Sequence, residues 1–178
     1  MSELTIYTGG VENSRCISDQ KEMSQVLETH GIRFEQWQAA APLSRDSTQD
    51  DILEAYSKQV AALKKASGFQ SVDVISLHPE HPQKDAMREK FLNEHIHADD
   101  EVRFFVDGQG MFYLHFDDVV MTVLCEKGDL ISVPANTKHW FDMGPAPDFK
   151  CIRLFTDEAG WVAQMTGDTI AENYPRFE

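Results

Sequence analysis

Cysteine is scarce in this chain: Cys16, Cys125 and Cys151 are the only three in 178 residues, and no two form a C-x-x-C pair. An odd, scattered set argues against a disulfide framework or a zinc-thiolate centre. Cys125 and Cys151 stand in apolar, strand-like contexts, V-L-C-E and K-C-I-R-L-F, where a small buried thiol without chemistry is expected. Positive charge is also short. Sixteen Lys and Arg against thirty Asp and Glu leave a net charge of −14 with no basic stripe, which argues against nucleic acid or an anionic membrane surface as partner. No apolar run approaches the ~20 residues of a membrane span, and M-S-E-L-T-I-Y-T-G-G lacks the regions of a secretory signal. A soluble, cytoplasmic protein is expected. There is no repeat, low-complexity segment or linker, so residues 1–178 are read as a single domain, large enough to bury roughly 68–70% of its unfolded surface. No long exposed apolar stripe demands a partner, and a monomer is expected.

Two textures divide the chain. In the first, helices alternate with short strands. Ser18 can cap a helix bearing Met23, Val26 and Leu27, ended at Gly31; R-F-E-Q-W-Q reads as a strand. Ser47 or Thr48 caps a second helix with the stripe Ile52, Leu53, Tyr56, Val60 and Leu63, ended at Gly68. The strand V-D-V-I-S-L and, after H-P-E-H-P, a third helix from Gln83 to about Phe91 follow, with Ala86, Met87 and Phe91 available for packing. From Glu101 onward, apolar segments of four to eight residues alternate with turn signals, as in V-R-F-F-V, M-F-Y-L-H-F, V-V-M-T-V-L-C, L-I-S-V and C-I-R-L-F. That spacing predicts a mainly β fold with peripheral helices, a double-sheet barrel rather than a βαβ array. Residues 1–92 supply decoration and a barrel edge, 93–156 the core, and 157–178 a C-terminal extension.

The run E-H-I-H-A-D-D-E-V-R, from Glu94 to Arg103, carries the chemistry. On a strand, His95 and His97 project from one face with Cα atoms roughly 6–7 Å apart, a chelating pair. Glu101 follows four residues later, and His139 ends a P-A-N-T-K-H turn. Three histidines and one carboxylate suit a divalent first-row metal. If a strand resumes after Asp100, Glu101, Arg103 and Phe105 share one face while Val102 and Phe104 share the other, which sets a guanidinium and an aromatic ring beside the metal. Metal, carboxylate and Arg103 together leave the site positive, so it complements an anionic ligand within an acidic protein.

The segment G-D-L-I-S-V-P-A-N-T-K-H, Gly128 to His139, pairs with this run in a way that resembles the two motifs of the cupin superfamily. His95, His97, Glu101 and Gly108 match the first motif; Gly128, Pro134 and His139 match the second. Glu89 stands where that pattern has glycine, Asn136 replaces the glycine after proline, and Met143 replaces the closing asparagine. Asparagine tolerates a left-handed backbone, so a turn at Asn136 remains compatible. With G-I-R-F-E-Q-W, I-L-E-A-Y, F-Q-S-V-D-V-I-S-L, and R-L-F-T-D-E-A-G-W-V-A-Q, most of the chain is similar to the acireductone dioxygenases of methionine salvage.

That resemblance implies a cupin-type jelly-roll barrel with His95, His97, Glu101 and His139 as ligands of one Fe2+ or Ni2+ per chain, Co2+ being a further option. It implies a dioxygenase cleaving acireductone (1,2-dihydroxy-3-keto-5-methylthiopentene), a small enediol, with O2. The Fe2+ form would give 4-methylthio-2-oxobutanoate and formate; the Ni2+ or Co2+ form would give 3-methylthiopropionate, carbon monoxide and formate. Arg103 matches the position that generates and holds the substrate dianion, Glu94 one associated with metal incorporation, and Asp100 one that passes on local structural change. Solvated carboxylates are the alternative for both acids. Phe91, Phe141 and Trp161 match an aromatic substrate pocket, Phe105 is a weaker candidate by alternation, and plain core packing is the alternative for each. His30, His78, His81 and His115 are read as capping, loop or surface residues. Another metal-dependent cupin enzyme, or a non-catalytic metal- or sugar-binding cupin, is the competing reading.

Overall fold

The computed structural model describes residues 1–44, 46–156 and 162–178. The chain opens with a hairpin, β1 (Glu3–Thr8) and β2 (Ser14–Ile17), before α1 (Gln20–Glu28). The cap of α1 is Asp19 rather than Ser18: its carboxylate accepts from Glu22 N at 2.8 Å, and an anion at that end also favours the helix dipole. Met23 and Leu27 are buried as their spacing requires. After β3 (Arg33–Gln36), the expected second helix is two, α2 (Gln49–Ala55) and α3 (Ser57–Ser67). Thr48 caps α2 in a reciprocal box with Asp51, and Gly68 ends α3 in the left-handed region. The break falls at Tyr56, whose ring meets Phe104 edge-on at 4.6 Å. No glycine or proline announces it.

Then come β4 (Ser71–Leu77) and α4 (Lys84–Leu92), in which Met87 and Phe91 pack partly buried while Ala86 is exposed. The remaining strands are β5 (His95–Ile96), β6 (Glu101–Asp107), β7 (Gln109–Phe116), β8 (Val119–Glu126), β9 (Asp129–Val133), β10 (Lys138–Asp142), β11 (Phe149–Phe155) and β12 (Gln164–Met165). All pairings are antiparallel, in two sheets ordered β12-β5-β10-β7-β8-β1-β2 and β3-β9-β6-β11-β4. The expected double-sheet β architecture is present, with the correction that among the described residues no ladder joins the two sheets into a closed barrel. β1 and β2 are not among the strands expected from the sequence, and β1 lies inside the larger sheet beside β8.

Alternation along β6 explains the layering. Phe105 faces a shared core with Phe112, Leu114, Val123 and Phe141 from the larger sheet and Ile131 and Cys151 from the smaller. Val102, Phe104 and Val106 face outward and are covered by Ile52, Tyr56, Val60 and Leu63 of α2 and α3. The outer face of the larger sheet buries Tyr113 and Trp140 against Ala171 and Tyr174 of the C-terminal segment. Among the described residues no helix is long and apolar enough to cross a membrane. Cys125 and Cys151 are fully buried; burial pushes the Cys125 thiol well up and the Cys151 thiol to about 12, so both stay protonated.

Asp142 ties the far end of β10 to two other segments. Fully buried, it accepts a two-pronged bond from Arg88 of α4 at 2.7 and 3.0 Å, and bonds from the backbone N–H groups of Gly144 and Phe177. Gly108, between β6 and β7, has φ +73°, and a Cβ there would stand 1.9 Å from the carbonyl oxygen of Asp148. Gly108→Ala is therefore expected to destabilise the protein by about 3–5 kcal/mol, combining backbone strain with a clash that backbone must relieve, as read by urea unfolding.

Candidate metal centre

The centre is assembled from both sheets. His95 on β5 lies directly opposite His139 on β10, and β6 of the facing sheet delivers Glu101. His97 sits just past the two-residue β5, in a loop tied to the P-A-N-T-K-H turn: Asn136 N donates to His97 O at 2.8 Å, and Asn136 takes φ +63°, the left-handed conformation glycine would otherwise supply. The histidine rings are 4.6 to 5.3 Å apart, and the four ligand atoms of His95, His97, Glu101 and His139 all lie within 4.8 Å of one another, every residue buried. Donors at about 2.0–2.2 Å from a common ion lie at separations of this order.

Hydrogen bonds set the histidines for this task. His95 Nδ1 lies 2.7 Å from Asn93 O, and His139 Nδ1 lies 2.7 Å from Thr137 O. A carbonyl only accepts, so each Nδ1 carries the proton and each Nε2 of the neutral ring presents a lone pair. His139 Nε2 then faces Glu101 Oε2 at 2.9 Å, and His97 Nε2 lies 3.1 Å from the same oxygen. A neutral imidazole lone pair and a carboxylate oxygen do not hold each other at that distance. A shared cation does, and the donor set fits a divalent first-row ion.

Burial and charge act together on the two titrating ligands. Burial, reinforced by the neighbouring His139, lowers the His95 imidazole to about 4, so it is neutral and ready to ligate at neutral pH. Burial works to raise the Glu101 carboxyl, but the positive charge of the Arg103 guanidinium beside it works the other way, and the group stays well below the ordinary carboxylate range. Arg103 Nε donates to Glu101 Oε1 at 2.6 Å, leaving Oε2 toward the histidines. The guanidinium, itself buried, lies among three rings: Phe141 at 5.0 Å, Phe91 at 5.7 Å and Phe112 at 5.9 Å. Room for Phe141 comes from Gly110, where a Cβ would meet that ring at 2.4 Å.

Of the residues singled out in the sequence, the fold thus brings His95, His97, Glu101, His139, Arg103, Phe91 and Phe141 to one place. Phe105 lies in the inner core and packs toward Phe149 at 6.2 Å. Trp161 lies outside the described residues. Asp100 Oδ1 accepts from Ala135 N at 2.9 Å, bridging the loop of His97 to the turn of His139. Glu94 is buried rather than solvated, and His115 is not a surface residue: its Nδ1 meets Glu94 Oε2 at 2.5 Å, because β7 runs two strands from β5 and carries it there. Phe112 went unread, although M-F-Y-L-H-F already puts it on one face with Leu114; its place opposite Phe141 comes from the β7–β10 register.

Both depressed values make the metal-free protein sensitive to acid. Glu101 contributes stability present above its unfolded value of 4.5 and lost as pH falls below it; His95, neutral when folded, makes the unfolded chain bind the extra proton between 6.5 and about 4. Stability therefore falls as pH falls through both windows. Thermal unfolding of metal-free protein should show a declining Tm from about pH 6.5 to about pH 4, with His95→Gln flattening the upper part of that profile. Because protons and metal compete for the same atoms, metal affinity should fall over the same range.

The ARD/ARD' family model matches residues 3–163. Acireductone dioxygenase of Marinobacter nauticus is 57% identical over 91% of this chain and 87% of its own length, and that of Hahella chejuensis is 56% identical over 100% and 97%. The corresponding enzyme of Aquifex aeolicus is 53% identical over 100% and 97%. Among solved structures, acireductone dioxygenase from Bacillus anthracis, with a cadmium ion in its active center, superposes with a TM-score of 0.82 at 33% identity, covering 92% of this chain and 98% of that one. Similarity of this extent, running through the metal quartet, shows that the chain belongs to the ARD/ARD' family, the acireductone dioxygenases.

Proposed function

We propose that the chain cleaves acireductone with dioxygen at one divalent metal held by His95, His97, Glu101 and His139. The observation that carries this reading is the continuity of the buried site: the metal-ligating quartet passes through Glu101 to the Arg103 guanidinium, and aromatic rings surround that cation. A bound Fe2+, Co2+ or Ni2+, held by His95, His97, Glu101 and His139, would supply Lewis-acid and redox chemistry toward an enediol and dioxygen, and this donor set suits all three. Arg103 cannot accept a proton, so its part is electrostatic: it holds the negative charge that the substrate's oxygens acquire on deprotonation. Its bond to Glu101 fixes where that positive charge sits.

Phe91 and Phe141 form the apolar wall for the methylthio tail, with Phe105 deeper in the core. Phe112 joins them on the evidence of its position beside Arg103. Glu94 serves metal incorporation and Asp100 passes structural change between the two ligand loops, a role its bond to Ala135 supports. The proposed setting is methionine salvage in the cytoplasm, with a monomer acting on a small molecule and O2. Product follows metal: the 2-keto acid and formate with Fe2+; 3-methylthiopropionate, carbon monoxide and formate with Ni2+ or Co2+.

Protein reconstituted anaerobically with Fe2+ and then given acireductone and O2 should consume oxygen in step with formate, well above spontaneous oxidation; no excess turnover would overturn the reading. Exchange of Fe2+ for Ni2+ should switch on carbon monoxide release. Arg103→Ala should keep its metal, measured by elemental analysis, and lose turnover by about 10²–10³-fold, the scale of losing a charge-stabilising group. Undiminished turnover would remove Arg103 from the chemistry.

A further inference from the structure

The strand that presents His95 is two residues long, and so is β12, its neighbour on the side away from β10. His95 is paired on one side with His139 and on the other with Met165. Ladders this short do not hold a strand by themselves. Glu94, one residue earlier, supplies what they lack. Its carboxylate is buried, and each of its oxygens has its own partner: Oε1 accepts from Thr166 Oγ1 at 2.7 Å and Oε2 meets His115 Nδ1 at 2.5 Å. Its carbonyl accepts from Thr166 N at 3.1 Å. His115 is fixed in turn, because its Nε2 donates to Asp117 O at 2.9 Å at the end of β7. One side chain thus links β5, the C-terminal segment and β7.

We infer that His115 and Thr166 are positioning residues of the metal centre, acting through Glu94 to hold the strand of His95 in register against β10. The inference rests on the reading that the quartet of His95, His97, Glu101 and His139 binds the metal, and extends it to two side chains that touch neither metal nor substrate. His115 anchors Glu94 to the body of the larger sheet. Thr166 anchors the C-terminal segment to Glu94 through its hydroxyl, which donates to the carboxylate at 2.7 Å and also lies 3.4 Å from the carbonyl oxygen, and through its N–H. When either anchor is lost, His95 gains freedom relative to His139 and the donor set is less well organised before an ion arrives.

Co2+ affinity, measured on full-length protein by competition with a chelator and followed by the cobalt absorption band, tests this without substrate. His115→Ala and Thr166→Val should each weaken Co2+ binding by about tenfold, and Thr166→Ser, which keeps the hydroxyl, should bind within about twofold of the parent. Asp73→Asn, which removes the charge from the part-exposed pair with Arg153 on the other sheet, should leave Co2+ affinity unchanged. Thr166 is exposed and its variants should fold, so the Val and Ser pair decides the matter even if His115→Ala does not. Unchanged affinity in Thr166→Val, or a loss that Thr166→Ser does not restore, overturns the inference. A parent protein that takes up no Co2+ overturns the metal assignment itself, whereas normal Co2+ behaviour with no acireductone turnover overturns only the proposed activity.

Discussion

A carboxylate buried between two sheets is the constraint around which this molecule is organised. Taking an ionised group such as Glu101 out of water costs several kcal/mol, and the cost is offset only if both oxygens find strong partners. Here one oxygen takes the Arg103 guanidinium and the other faces the Nε2 atoms of His97 and His139, where a bound metal would complete its environment. Arg103 has the same problem with the opposite sign. Its solution is Glu101 on one side and the faces of Phe91, Phe112 and Phe141 on the other. Metal ligand, cation and aromatic wall are therefore one coupled unit rather than three separate features.

The fold makes that unit possible by distributing its members over independent supports. Glu101 and Arg103 come from the central strand of the smaller sheet, whose outer face is sealed by α2 and α3; His139 and Phe141 come from β10 in the larger sheet. Phe91 comes from α4, which the Arg88–Asp142 bond fastens to that same β10. Gly110 leaves the volume into which Phe141 swings. Each piece is positioned in part by apolar packing or by a bond away from the centre.

Much of this was legible in one dimension because strands and turns encode it locally. The i, i+2 spacing of His95 and His97 and the alternation of Glu101, Arg103 and Phe105 against Val102 and Phe104 each follow from a few neighbouring residues, and the left-handed turn at Asn136 is compatible with asparagine in place of the motif's glycine. His139 was reachable through the paired-motif spacing. Other features were not legible, for a consistent reason. Tyr56 packs on Phe104, β1 joins the larger sheet beside β8, and Phe112 reaches Arg103 through its register with Phe141. His115 reads in the sequence as a capping, loop or surface histidine, and only β7 places it against a buried glutamate.

The sequence by itself determined the donor set, the cation beside it and the β texture that carries both, since ligand chemistry belongs to residue type and side-chain direction belongs to a two-residue period. Only the tertiary structure decided that Glu101 divides its oxygens between Arg103 and the histidines, that three rings surround the guanidinium, and that Glu94 is clamped by His115 and Thr166. Those choices depend on which strands pair and in what register, and such pairings are settled by burying the core of the whole chain at once, not by any segment of it.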